Sequence, residues 1–209
     1  MNSRMLLTAV ALLSTMSCNG GARGELPLEP IQADEILLAL EIAPTREGPA
    51  PETPNGVPHQ QHSQNAPVEM QQLLLASVSE LPGIRIRRTP FSLAGSLGWR
   101  LKPSFAQGPE GAFIQQTSEF AHQHRRLDGS MHMLLPVQAS AIALEKGWAV
   151  FHPFTNDISG DDSDYVMIFG PGNEAELQVI WTIAQISYFQ ARGLSMVPRS
   201  STAVTVPPT

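Results

Sequence analysis

Apolar positions along the chain switch between two periods, and the switches mark out the elements. From Met70 to Leu81 the spacing of Leu73, Leu74, Val78 and Leu81 is helical, and Pro82-Gly83 stops it. Ile84 to Thr89 then alternates, with Ile84 and Ile86 inward and Arg85 and Arg87 outward, as a half-buried strand does. A weaker strand is expected around Gly98 to Lys102, a loop over Pro103 to Gly111, and a hairpin from Glu119 to Pro136. Pro136 opens a helix at the first-turn position, where its missing N–H costs nothing, and Gly147 closes it. Residues 147–163 read as a long loop, and Tyr165 to Phe169 as a buried strand. After Gly170-Pro171-Gly172, Asn173 caps a last helix and Glu176 completes a box-like start. Its buried stripe is Leu177, Ile180, Trp181, Ala184 and Tyr188, widened by Val179, Ile183 and Ile186. So broad a stripe implies packing on the sheet and partial cover by another element, such as Met70 to Leu81. The order of elements predicts an α+β fold, a mainly antiparallel sheet with helices packed on one face.

Outside this region the pattern changes. Arg4, the apolar run Met5 to Leu13, the small and polar residues from Ser14 to Ser17 and the single cysteine, Cys18, have the layout of a signal peptide over residues 1–18, too short to span a bilayer. A cysteine in that position suggests lipid attachment, which would make the protein a lipoprotein of a bacterial cell envelope, held to the membrane by the anchor; without it the expectation is a periplasmic or secreted protein. One cysteine excludes an intramolecular disulfide, so the core must hold the fold. Ile31 to Ile42 can form one short helix. Ala43 to Pro67 carries six prolines and few large apolar residues, so residues 19–67 are expected to be a disordered linker. Residues 68–193 form the domain, and 194–209 a disordered tail. The formal charge of −6 and the lack of basic clusters argue against nucleic acid as a partner.

The candidate chemistry lies in the hairpin. Four of the six histidines, His122, His124, His132 and His152, fall between Glu119 and Pro153. His122 and His124 are two apart and share a strand face. Whether His132 joins them depends on the loop. A two-residue Asp128-Gly129 loop pairs Arg125 with His132 and sends it to the other face. A three-residue loop with Gly129 in the left-handed region pairs His124 with His132 and gathers Met131, Met133 and Leu135 on a core-facing row. The second is the reading carried forward. Histidine suits proton transfer near neutral pH and metal ligation alike. A metal on His122, His124 and His132 would need three neutral rings at about 2.0–2.1 Å, with Glu119 or Asp128 fixing their tautomers. A strand histidine also commonly serves as a buried, hydrogen-bonded structural residue. His59 and His62 read as solvated linker residues, and Asp157, Asp161, Asp162 and Asp164, which lack calcium-loop spacing, as a solvated cluster. Arg85, in the IRIRR run, belongs either to a solvated sheet face or to an anion-attracting wall.

Glu119, Ala121 to His124, Asp128, Ser130 to Pro136, Lys146 to Trp148, His152-Pro153 and Phe169 to Glu176 together resemble the luciferase-like domain of fungal luciferases and their bacterial relatives, over about Ser118 to Phe189. In that family the fungal members oxidise a hydroxypyrone with molecular oxygen and emit light without metal or flavin. The resemblance places His122, His124, His132, Trp148 and His152 on matching positions. Gly172 follows Pro171 where the family commonly has arginine, and Ala149 follows Trp148 where it commonly has glycine.

Two functions follow as expectations. In the first, a cofactor-free oxygenase-like enzyme acts on a phenolic or enolisable small molecule. His124 and His132 are its reactive pair, His122 and His152 support them, and Trp148, Glu119 and Arg85 bind substrate. A divalent metal held by the histidines is the variant. In the second, the protein is a non-catalytic envelope module that binds a ligand or a protein partner and has structural histidines. Oligomeric state is not legible.

Overall fold

The computed structural model describes Leu28 and residues 30–196; the signal segment, Cys18 and the chain after Met196 lie outside the described residues. The elements in chain order are α1 (Ile36–Ile42), α2 (Val68–Glu80), β1 (Ile84–Arg88), β2 (Leu97–Leu101), β3 (Glu119–Gln123), β4 (Met131–Pro136), α3 (Val137–Glu145), β5 (Ala149–Phe151), α4 (Thr155–Ile158), β6 (Ser163–Ile168) and α5 (Glu174–Ala191). Six strands form one sheet in the order β1-β2-β3-β4-β6-β5, with every neighbouring pair antiparallel. The fold is α+β, as expected. No helix among the described residues is long and apolar enough to cross a membrane.

Period-two alternation decides what each sheet face meets. Trp99, Ala121, Met133 and Val166 lie on one face and join the main core, with Leu74 and Val78 of α2, Ile36 and Leu40 of α1, and Ile180 and Ala184 of α5. Each such large side chain, fully buried, contributes about 1.5–3 kcal/mol relative to exposure. Helix α5 begins where expected, with Asn173 Oδ1 accepting the Glu176 N–H at 3.0 Å; Glu176 reaches back to the N–H of Gly172 rather than to that of Asn173. It is buried on nearly every side because α1 and α2 both pack on it, with α1 contributing Ile36 and Leu40 from a segment expected to be linker.

Residues 147–163 are not the expected loop. Ala149–Phe151 adds an edge strand to β6, and Thr155–Ile158 makes one helical turn against the opposite sheet face, where Ile158 meets Ile114, Leu134 and Tyr165. A three-residue strand is too short to show a period, and its register comes from β6.

The proline-rich segment is also corrected. Residues 43–67 pack against the domain: Arg46 N donates to Lys146 O at 2.8 Å, Trp148 Nε1 to Pro44 O at 2.9 Å, Gln61 N to Asp128 Oδ2 at 3.1 Å and Ala66 N to Asp128 O at 2.8 Å. Gln61 is buried and accepts the Gly170 N–H at 3.0 Å. Composition predicted disorder because few side chains are apolar; backbone hydrogen bonds to partners far along the chain do the ordering instead.

Candidate active site

The face of the sheet away from the long helices carries the histidines. The hairpin register pairs His122 with His132 and Gln123 with Met131, so neither expected loop occurs. The turn is wider, spanning residues 125–129, with Arg126 and Gly129 at positive φ. It is held by Asp128, which accepts from Ser130 N and Ser130 Oγ at 2.7 Å, and by Gln71, which accepts the Arg126 N–H at 2.7 Å. The change from the expected pairing is two residues, which preserves parity, so His122, His124 and His132 share a face and Met131, Met133 and Leu135 enter the core as read.

A bulge brings in the carboxylate. Trp99 pairs with Ala121 but Arg100 with Glu119, leaving Phe120 as the extra residue; it packs on Trp99 and Tyr188 on the helix side. Glu119 is thereby returned to the face of His122. It accepts from Arg100 Nε and Nη2 at 3.0 and 2.9 Å, from Thr89 Oγ1 at 2.7 Å, and from His122 Nδ1 at 3.1 Å. Gly98 lies across from His122, and a Cβ there would collide with the Glu119 carboxylate.

These bonds settle tautomers. With the His122 Nδ1–H given to Glu119, neutral His122 has a lone pair on Nε2, which accepts the Nδ1–H of His132 at 3.1 Å. In neutral His124 the Nδ1–H faces Asp128 Oδ2 at 3.3 Å and Ser130 Oγ at 3.1 Å, leaving its lone pair on Nε2. His152 differs, since its Nδ1 accepts the Phe154 N–H at 3.0 Å. His124 Nε2, His132 Nε2 and His59 Nδ1 are buried with no hydrogen-bond partner among the described residues.

Five rings converge. His132 lies 4.9 Å from His124 and 4.6 Å from His152, and His59 stacks on it at 5.3 Å with planes 10° apart. His59 is 4% exposed, which corrects its reading as a solvated linker residue; His62 is exposed as expected. Beside them opens a cavity of about 440 Å³ lined by His59, His124, His132 and His152 with Val57, Pro58, Phe91, Ser92, Leu93 and Phe154.

Burial sets the electrostatics. It pulls His59 down to about 4, with His124 adding to the fall and Asp128 opposing it, and His152 down to about 3, with His59, His122 and His124 adding. Burial and four neighbouring histidines push His132 well below the usual imidazole range. His122 is lowered by burial, against the pull of Glu119. Burial alone would raise Glu119, but hydrogen bonds from His122, Thr89 and Arg100 and the charge of His122 outweigh it and hold the carboxyl below its ordinary value. For Asp128 too burial opposes ionisation, and bonds from His124 and Ser130 win. The four histidines with lowered values, His59, His122, His132 and His152, are therefore neutral near pH 7.

The structure brings His122, His124, His132 and His152 together, with Glu119 behind His122 rather than in the cavity wall. Trp148, expected to bind substrate, is elsewhere, buried in the helix-side core, and the aromatic lining of the cavity comes from Phe91 and Phe154 instead. Arg85 is exposed on the edge strand opposite Arg100 and does not line the cavity. Local reading missed His59, Arg100 and the aromatic walls. No local signal marks His59, whose ring partners His132 and His152 lie more than sixty residues away.

Residues 117–187 match the luciferase domain family, and that stretch contains Glu119, Asp128 and four of the five clustered histidines. Luciferases of Armillaria gallica and Armillaria mellea are each 27% identical over 162 residues, covering 71% of this chain and 60% of theirs. The luciferase of Neonothopanus nambi is 31% identical over 70 residues, 33% of this chain and 26% of its own. The chain thus spans about 60% of the length of the first of these relatives. No solved structure matches.

Proposed function

We propose that this domain is an oxidative enzyme of luciferase type acting on a phenolic or enolisable small molecule bound in the histidine cavity. The observation that carries the reading is the pair of buried Nε2 atoms of His124 and His132, unpartnered at the cavity and each backed through Nδ1, one by Asp128 and the other by His122 and Glu119. A base oriented in this way accepts the proton as the substrate O–H breaks. The electron-rich anion left behind is the species that molecular oxygen oxidises. Val57, Phe91, Leu93 and Phe154 offer apolar cover for an aromatic or pyrone ring. Anchoring in a cell envelope through Cys18 belongs to the same proposal and rests on the leader pattern alone.

The test is oxygen uptake and light emission by the full chain with a panel of phenols and hydroxypyrones, beside His124→Ala. Saturable uptake reduced at least about tenfold in the variant is expected for loss of a general base. Tight binding of a panel member without oxygen uptake would instead establish a non-catalytic ligand-binding module.

A further inference from the structure

We propose that His122, His124 and His132 form a binding site for a divalent transition metal ion, with a coordination position left open toward the cavity. The proposal goes beyond the oxidative reading and is read out without any substrate: an ion on His124 Nε2 takes the lone pair that the base would use, so metal-bound and metal-free chain are distinct states of the same site. One ring nitrogen from each of the three lies within 4.8 Å of the others, and all three residues are buried. His122 Nε2 and His132 Nδ1 stand 3.1 Å apart, while two nitrogens on one tetrahedral ion at about 2.0–2.1 Å are separated by about 3.3 Å. Little movement is needed.

The protons are almost in place as well. His122 and neutral His124 already hold lone pairs on Nε2, because each faces a buried carboxylate through Nδ1. A carboxylate behind the outer nitrogen is the arrangement that orients metal-binding histidines and raises their basicity. Only His132 must change, moving its proton from Nδ1 to Nε2. Nothing at His132 Nε2 opposes that, since the atom has no partner among the described residues. Imidazole ligands suit first-row ions such as zinc, copper, iron and nickel.

A second trio, His59, His132 and His152, is equally compact but fails on tautomers. His152 Nδ1 is occupied by the Phe154 N–H, so its neutral ring carries a proton on Nε2 and has no lone pair for an ion. His59 and His152 are therefore left beside His132, outside the ligand set.

The experiment is titration of the chelator-stripped full chain with Co²⁺ and competing Zn²⁺, following visible cobalt absorption, with circular dichroism confirming the fold. The expected result is about one equivalent bound by wild type, with binding lost in His124→Ala and retained in His152→Ala. Glu119→Gln, which keeps side-chain volume, should weaken binding about 10–100-fold and decides the matter if His124→Ala does not fold. Absence of cobalt uptake by folded wild type overturns the proposal. So does binding that survives His124→Ala and disappears in His152→Ala.

Discussion

Met133 and His132 are neighbours on one strand and both are buried, yet they are buried by different means. Met133 enters a core of apolar side chains from α1, α2 and α5, where total volume and shape matter most. His132 enters a layer that mixes apolar side chains with buried polar groups, each of which needs a particular partner: Glu119 for His122, His122 for His132, Asp128 for His124. The apolar face can share out an error among many contacts. On the histidine face an error leaves a buried donor, acceptor or charge alone, at about 1–3 kcal/mol for a neutral group.

The sharpest break of this contrast is at Phe120, which lies in β3 two residues before His122 but is carried by the bulge to the helix side. Phe120→Ala should cost about 3–5 kcal/mol in urea unfolding, as a large core truncation does. A loss under about 1 kcal/mol would mean that Phe120 is not a core residue.

Acid should act chiefly on the other face. His59 and His152 take up protons in the folded protein only near pH 4 and pH 3, against 6.5 for the ordinary side chain. Between those values the unfolded chain holds more protons, so stability falls as pH falls from about 6.5 toward 3, and above 6.5 these two groups impose no penalty. Chelator-stripped protein unfolded by urea at stepped pH should show this slope, and His59→Gln should flatten it. An unchanged slope in His59→Gln would remove that residue from the account.

Smaller effects refine the comparison. Glu119→Gln preserves volume but weakens the bonds from Arg100 and His122, with an expected loss of about 1–3 kcal/mol in thermal or urea unfolding. Gln61→Ala removes the acceptor for Gly170 N and should cost about 1 kcal/mol, with faster hydrogen exchange of the Ala66 and Gln61 amides. Uniformly fast exchange of those amides in wild type would contradict the packing of residues 43–67. Arg85→Ala, on the exposed sheet edge, should change stability by less than about 0.5 kcal/mol and leave ligand binding untouched.

Much of the helix face was legible because periodicity reports burial directly. The stripe of α5, its Asn173 cap and the inward row of Met131, Met133 and Leu135 all follow from spacing within a few turns or one strand. The shared face of His122, His124 and His132 was legible for the same reason, although their cross-strand pairing was not: parity survives a two-residue change in register, and the partner does not. Trp148 shows the limit from the other direction. The family resemblance set it among the site residues, but its indole is committed to Pro44 O and the helix-side core.

The amino-acid order by itself determined the α+β class, the main helices and strands, and which hairpin residues share a face, since all of these rest on local spacing and on the two periods of the backbone. Tertiary structure alone decided that Arg46, Gln61 and Ala66 pin the proline-rich segment to the domain, that His59 stacks on His132, that a bulge returns Glu119 to His122, and that Gly98 leaves room for the carboxylate. Each of these is a contact between residues far apart in the chain or a break in a regular ladder. Periodicity carries no record of such contacts, because their energy appears only when the partners meet.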